Sequence, residues 1–128
     1  MTESKKHLKS ICVYCGSADN VHTEYYQAAR ELGHYLAENE IQLVYGAGKT
    51  GLMGAVADGT LEAGGQVIGV VPENLNTPQL IHSKLSNLEV VPDIHQRKAR
   101  MSALAEAFIA LPGGYGTLDE LFETLTWA

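Results

Sequence analysis

The sequence lacks the features that mark membrane-spanning and polymer-binding proteins. No apolar run approaches the ~18 residues that a membrane-spanning helix requires. Basic residues are scarce: nine Lys and Arg stand against fifteen Asp and Glu, for a net charge of -6. That balance argues against nucleic acid polymers and anionic membranes as partners. With 128 residues and 45% apolar content, the composition predicts one soluble globular domain.

Cysteine and histidine are too few and wrongly spaced for redox or metal chemistry. The two cysteines form a CxxC, Cys12 to Cys15, but they follow one another along a predicted strand. An odd offset in a strand sends side chains to opposite faces, and no second ligand pair exists. The five histidines show no HExxH or similar spacing. We therefore expect neither a metal nor another cofactor.

The N-terminal residues do not resemble a signal peptide. Lys5, Lys6 and Lys9 precede a short apolar segment that reaches Cys15-Gly16-Ser17 too soon for a secretory leader. We expect a tail over residues 1–9, a catalytic domain over residues 10–128, and a cytoplasmic location.

Strand and helix patterns alternate along the chain. Short apolar runs predict five buried strands, at Ser10 to Cys15, Ile41 to Tyr45, Gln66 to Val71, Asn87 to Val91, and Ala107 to Leu111. Helical periodicity fills most of the intervals, and one of these helices carries unusually small residues that predict a close approach to the sheet. The alternation predicts an α/β fold: a Rossmann-like parallel sheet flanked by helices.

Every glycine-rich loop follows a predicted strand, so these loops share one edge of the sheet, where such folds bind ligands. Gly46-x-Gly48-x-x-Gly51 matches the dinucleotide pattern, and Glu73 follows about 20 residues later, where a ribose-binding acid is expected. The pattern follows the second strand, however, whereas dinucleotide-binding folds place it after the first. A Walker A loop is excluded, because Leu43 occupies the position of its first glycine.

The segment from Pro112 to Glu120 is the most informative stretch. Its three glycines let backbone N–H groups approach an anion, and the helix start after Thr117 favours negative charge. Thr117-x-x-Glu120 is equally well described as a capping box, in which the two side chains satisfy N–H groups of the helix start. An acid in this turn would repel a phosphate unless it faces another part of the ligand, such as a sugar.

A second element carries a dense basic cluster, Arg97-Lys98-Ala99-Arg100. Asp93-x-x-Gln96 can cap the start of the helix that contains Arg97. Counting 100° per residue along that helix turns Arg97 inward and places Lys98 and Arg100 on a solvated face. An inward arginine needs a partner. That partner is either an acid in an internal ion pair, or Glu120 or a ligand at the sheet edge.

Together, these motifs resemble the LOG (Lonely Guy) family of cytokinin-activating phosphoribohydrolases, whose members are often labelled lysine decarboxylases. The resemblance covers the chain from Ser10 onward and rests on three ordered motifs: Gly46-x-Gly48-x-x-Gly51-Leu52-Met53-Gly54, His95-x-Arg97-Lys98 and Pro112-Gly113-Gly114-x-Gly116-Thr117-x-x-Glu120. It implies hydrolysis of the N-glycosidic bond of a cytokinin riboside 5'-monophosphate, or of AMP, by a metal-free homodimer.

The resemblance also implies roles for individual residues. Arg97 and Glu120 correspond to the family's catalytic pair. The phosphate loop corresponds to Gly113, Gly114, Gly116 and Thr117, and the other nucleotide-pocket positions to Ser17, Gly48, Met53, Glu73, Arg97 and Lys98. Ala47 stands where a third glycine is common. The family also continues for several elements beyond this length, so we expect the chain to lack its C-terminal elements.

The residue types suit the implied chemistry. Cleavage of a nucleoside C–N bond develops positive charge on the sugar, which a carboxylate such as Glu120 can stabilise while it aligns or deprotonates water. Arg97 would orient that acid and the ligand, and Glu73 would hold ribose hydroxyls or the base. The alternatives are a non-catalytic nucleotide or cofactor carrier and an NAD-dependent enzyme. Lysine decarboxylation is disfavoured because no lysine stands in a pyridoxal-binding context.

Overall fold

The computed structural model describes residues 8–15 and 23–111, in which strands and helices alternate. The elements are β1 (Ser10–Tyr14), α1 (Thr23–Glu38), β2 (Gln42–Tyr45), α2 (Gly51–Glu62), β3 (Val67–Pro72), β4 (Asn87–Val91), α3 (Ile94–Leu104) and β5 (Ala107–Ala110). A one-turn 3-10 helix, Glu73–Leu75, follows β3. Each of the five predicted strands ends within one residue of the observed bounds. The helix predicted after Thr117 lies outside the described residues.

All five strands are parallel and form one sheet in the order β4-β3-β2-β1-β5. The chain builds the sheet outward from β1 to β4 and then returns to add β5 on the other side of β1. The predicted Rossmann-like fold is therefore confirmed, and the order reverses between β1 and β5. None of the helices in the described ranges is long and apolar enough to cross a membrane.

The sheet is covered on both faces, and β1 shows how. Ile11, Val13 and Cys15 pack in a cluster with buried residues of α1 and α2. Cys12 and Tyr14, on the opposite face, pack with Met101 of α3. The two cysteines are buried on opposite faces of the strand, as predicted, and no disulfide joins them.

Helices α1 and α2 approach each other closely through two glycines. A Cβ at Gly33 would overlap the Val56 carbonyl oxygen and lie 2.6 Å from the Thr60 nitrogen. A Cβ at Gly59 would overlap the Arg30 carbonyl. The prediction of a close helix-to-sheet approach was therefore wrong in its partner at Gly59, which lets two helix backbones meet, whereas Leu52, Ala55 and Val56 of the same helix do pack with residues of the sheet.

Candidate functional site

Arg97 lies at the carboxyl edge of the sheet because of the way helix α3 begins. The Asp93 side chain accepts a hydrogen bond from the Gln96 backbone N–H at 2.9 Å, which confirms the predicted cap. The helix therefore starts directly after β4, and Arg97 falls in its first turn. Its side chain turns inward, as predicted, and reaches the ends of β2 and β3.

Two backbone carbonyls hold the Arg97 guanidinium. Its Nε donates to the Val70 carbonyl of β3 at 3.0 Å, and its Nη2 donates to the Gly46 carbonyl after β2 at 2.6 Å. Both bonds are charge-assisted, and two bonds from one planar group fix its plane as well as its position. The sequence predicted an acid or a ligand as partner. Carbonyl groups were missed because every residue carries one, so they leave no signature in the sequence.

The Gly46 position requires glycine because of this arginine. A Cβ there would overlap Arg97 Nη2, lie 3.0 Å from Arg97 Cζ and lie 2.6 Å from the Met53 Cε methyl. The first glycine of the Gly46-x-Gly48-x-x-Gly51 loop therefore makes room for a protein side chain. The loop also follows β2, one strand away from the reversal between β1 and β5. Neither feature suits a dinucleotide fingerprint.

Arg97 forms one wall of a cavity of about 230 Å³. Three predicted site residues meet there, namely Gly48, Met53 and Arg97. The remaining wall residues were not predicted, and most are apolar: Gly46, Thr50, Val71, Leu75, Leu80 and Ile81. A fixed cation in a largely apolar hollow suits a ligand that has both an anionic or polar part and an apolar part.

Two buried residues, Tyr45 and Ala47, support the backbone of the glycine loop. Buried Tyr45 donates its hydroxyl to the Gly48 carbonyl at 2.8 Å. Burial, with the nearby Asp58 charge as a smaller cause, raises the pKa of the Tyr45 phenol well above its usual range, so the hydroxyl stays a neutral donor. Ala47 is fully buried in a left-handed conformation, with φ of 70°. That geometry explains why glycine is common at this position in the family that the sequence resembles.

A segment that the sequence analysis did not single out forms another wall of the cavity. Residues 77–85, which we call the strap, run beside the glycine loop and place Leu80 and Ile81 at the cavity. The Lys49 N–H donates to the Leu80 carbonyl at 3.1 Å, and Ile81 forms an antiparallel bridge with Gly48. The Lys49 ammonium also donates to the Pro78 carbonyl at 2.8 Å.

Glu73 and Lys98 do not line the Arg97 cavity. Glu73 is exposed on the 3-10 helix and lines a neighbouring hollow of about 600 Å³, which shares Leu75 with that cavity. Lys98 is 7% exposed, so the prediction that it sits on a solvated face was wrong. Helix α3 contacts all of β1 to β4, and it buries Lys98 and Met101, whereas Ile94 of the predicted apolar stripe is exposed. Arg100 is exposed, as predicted, and pairs with Glu89.

The remaining predicted site residues lie outside the described ranges: Ser17, Gly113, Gly114, Gly116, Thr117 and Glu120. The described residues next to them, Cys15 and Leu111, follow the adjacent strands β1 and β5, and the Leu111 N–H donates to the Tyr14 carbonyl at 2.8 Å. Within residues 8–15 and 23–111, no cluster of three His, Cys, Asp or Glu side chains is placed to hold a metal ion.

Comparison with known proteins identifies the family. A family model described as "Possible lysine decarboxylase", the label that LOG proteins often carry, matches residues 53–128, more than half of the chain. The chain belongs to the LOG family. A cytokinin riboside 5'-monophosphate phosphoribohydrolase of Arabidopsis thaliana is 48% identical over 100% of this chain and 59% of its own length. The enzyme of that name from Rhodococcoides fascians is 48% identical over 94% of this chain and 61% of its own length.

The LOG relatives are longer than this chain, which spans about three fifths of their length. Solved structures share the fold. A molybdenum cofactor carrier protein from Chlamydomonas reinhardtii superposes with a TM-score of 0.80 and 25% identity, over 93% of this chain and 71% of that one. The chain is thus similar in sequence to proteins named as enzymes and similar in fold to a protein named as a carrier, so the fold alone does not decide between the two functions.

Proposed function

We propose that this LOG-family chain hydrolyses the N-glycosidic bond of a purine or cytokinin nucleoside 5'-monophosphate and releases the free base and ribose 5-phosphate. The observation that carries the proposal is the Arg97 guanidinium, held by two carbonyls at the wall of a cavity that Gly48 and Met53 also line. The 48% identity to proteins named for this reaction supports it.

In the proposed reaction, the C–N bond between sugar and base breaks, the oxygen of water bonds to the same sugar carbon, and a proton from that water ends on the base. Arg97 stays protonated at working pH and orients the ligand and Glu120. Glu120 stabilises the positive sugar and takes the proton from water. Gly113, Gly114, Gly116 and Thr117 bind the phosphate, with Ser17 and Lys98 nearby.

Glu73 lines the neighbouring hollow and not the Arg97 cavity. A role for it requires a ligand that extends past Leu75, the residue that both hollows share. From the family resemblance, we also propose that the protein acts in the cytoplasm as a homodimer and that the reaction uses neither a metal nor another cofactor.

Base release from AMP and from isopentenyladenosine 5'-monophosphate tests the proposal. Arg97→Ala and Glu120→Gln should each lower kcat/KM by at least about a hundredfold, the usual loss when a group that stabilises developing charge is removed. Arg100→Ala is the matched control. It removes an arginine one turn along α3 that bonds only Glu89 among the contacts described, and it should retain activity. Wild-type turnover in either site variant would refute the role assigned to that residue.

A cofactor or nucleotide carrier is the second candidate, favoured by the structural likeness to the molybdenum cofactor carrier protein. A carrier would bind AMP and return it intact, so chromatography of the incubation mixture separates the two functions. Free adenine supports the hydrolase, and unchanged AMP at saturating protein supports the carrier. An NAD-dependent enzyme is the third choice, and calorimetry with NAD tests it directly.

A further inference from the structure

His82 is one of the residues that fasten the strap to the rest of the molecule. The His82 backbone N–H donates to the Ala47 carbonyl at 2.9 Å, in the glycine loop. Its side chain reaches helix α2, where Nε2 lies 2.6 Å from Asp58 Oδ1. The side chain of His82 is only 9% exposed, whereas that of Asp58 is 44% exposed. One residue thus ties together the strap, the glycine loop and α2.

The hydrogen bonds of His82 define the state of its ring. The Lys84 backbone N–H donates to His82 Nδ1 at 3.1 Å, so Nδ1 acts as an acceptor and carries no proton. The ring proton therefore resides on Nε2 and is donated to the Asp58 carboxylate. Each ring nitrogen has a partner and the ring is nearly buried, and these contacts favour one orientation of the imidazole.

The position of His82 in the chain connects this fastening to the cavity. It directly follows Leu80 and Ile81, which line the same cavity as Arg97. Leu80 is 48% exposed and so has few contacts of its own to keep it in place. Lys49 bonds the strap at Pro78, before this wall, and at Leu80, within it, and the bonds of His82 hold the strap directly after the wall.

We propose that His82, through Asp58, is a positioning residue that keeps the strap wall of the Arg97 cavity in its ligand-binding position. The expected change in KM rests on the proposed function, whereas the expected change in the strap does not. Removal of the imidazole loosens the strap directly after Ile81, so that the backbone bonds of Leu80 and Ile81 to the glycine loop hold the wall without that support. Arg97, held by Val70 and Gly46, stays in place. Ligand binding then weakens while the chemical step is preserved.

Two measurements on His82→Ala and Asp58→Ala test the role. Without any ligand, amide hydrogen exchange at Lys49 and His82, whose N–H groups bond Leu80 and Ala47, should speed up in both variants. With AMP as substrate, KM should rise roughly tenfold with kcat changed less than twofold, the size expected when one hydrogen bond to a charged group is lost. The double variant should be no worse than His82→Ala, because the bond that Asp58→Ala removes is already lost in that variant.

His34→Ala is the matched control, since it removes the other described contact between a histidine and a carboxylate, that of His34 with Glu62 at 3.1 Å, away from the cavity. It should change neither exchange at Lys49 nor KM. His82→Gln, whose amide can still donate to Asp58, should recover part of the KM and covers the case in which His82→Ala fails to fold.

The outcomes separate the two proposals. Unchanged exchange in His82→Ala and Asp58→Ala, or faster exchange with an unchanged KM, would overturn the positioning role. If the wild-type protein releases no base from AMP, the proposed function fails, and the positioning role is then decided by exchange together with the AMP dissociation constant from calorimetry. That constant should rise by the same tenfold in both variants if the role is correct, and an unchanged constant would overturn it.

Discussion

Substitution of Gly46 by alanine tests whether the position of the Arg97 charge matters, because it displaces the guanidinium without removing it. The added Cβ would overlap Nη2 and lie 3.0 Å from Cζ. Carbon atoms normally approach to about 3.5–4.0 Å, so the guanidinium must withdraw by roughly 0.5–1 Å or more. That movement breaks the 2.6 Å bond to the Gly46 carbonyl. A misplacement of about 1 Å in a catalytic site typically costs about a hundredfold in rate.

Base release from AMP should therefore show kcat/KM about a hundredfold lower for Gly46→Ala. The loss of stability should not exceed about 1.5–3 kcal/mol, the range for one hydrogen bond to a charged group, because the displaced atoms are the ends of flexible side chains. Gly64→Ala is the control that loses stability without moving the guanidinium. Gly64 has φ of 79° and nothing within 4 Å of an added Cβ, so that variant should lose about 1–2 kcal/mol of stability and keep its activity per folded molecule. Activity of Gly46→Ala within twofold of wild type would show that the guanidinium position is not required.

Two further predictions concern the fold. Gly69→Ala should cost about 1–3 kcal/mol of stability, because its Cβ would lie 2.6 Å from both Ala47 Cβ and Leu85 Cδ1. An Ala47→Gly background should restore part of that loss in urea unfolding, and no recovery would refute the contact. Arg100 lowers the pKa of Glu89 by hydrogen bonding, so the pair stabilises the fold above the ordinary carboxyl range and not once the pH falls below the folded pKa. Glu89→Gln should therefore slightly lower the urea concentration at the unfolding midpoint at pH 7 and leave it unchanged at pH 2. An equal loss at both pH values would contradict the stabilising role of the Glu89–Arg100 pair.

The sequence predicted the fold well because its signals are local. Apolar runs bounded by glycine-rich loops place each strand within one residue, and the Asp93 cap places the start of α3. From that start, simple helical counting turned Arg97 toward the sheet edge, as observed. Lys98 shows the limit of the same counting. The elements that pack against a helix decide which of its residues are buried, and that packing involves segments far away in the chain.

The strap could not be predicted for a similar reason. Its bonds join His82 to Ala47 and Asp58, and they form through backbone groups and a single histidine whose spacing matches no known motif. Nothing in a sequence marks such a contact until the sheet has brought α2 and the glycine loop together. The phosphate loop and Glu120 were predicted from the motif alone, and they lie outside the described residues.

The use of main-chain carbonyls to hold Arg97 has a consequence for how this site can diversify. Any residue placed at Val70 still presents the same carbonyl oxygen, so mutation there need not move the cation. Other side chains that line the cavity, such as Leu75 and Leu80, shape it without bonding the guanidinium. Selection or laboratory evolution for a different base should therefore accumulate changes on those walls, while the charge that faces the ligand stays where the strands put it.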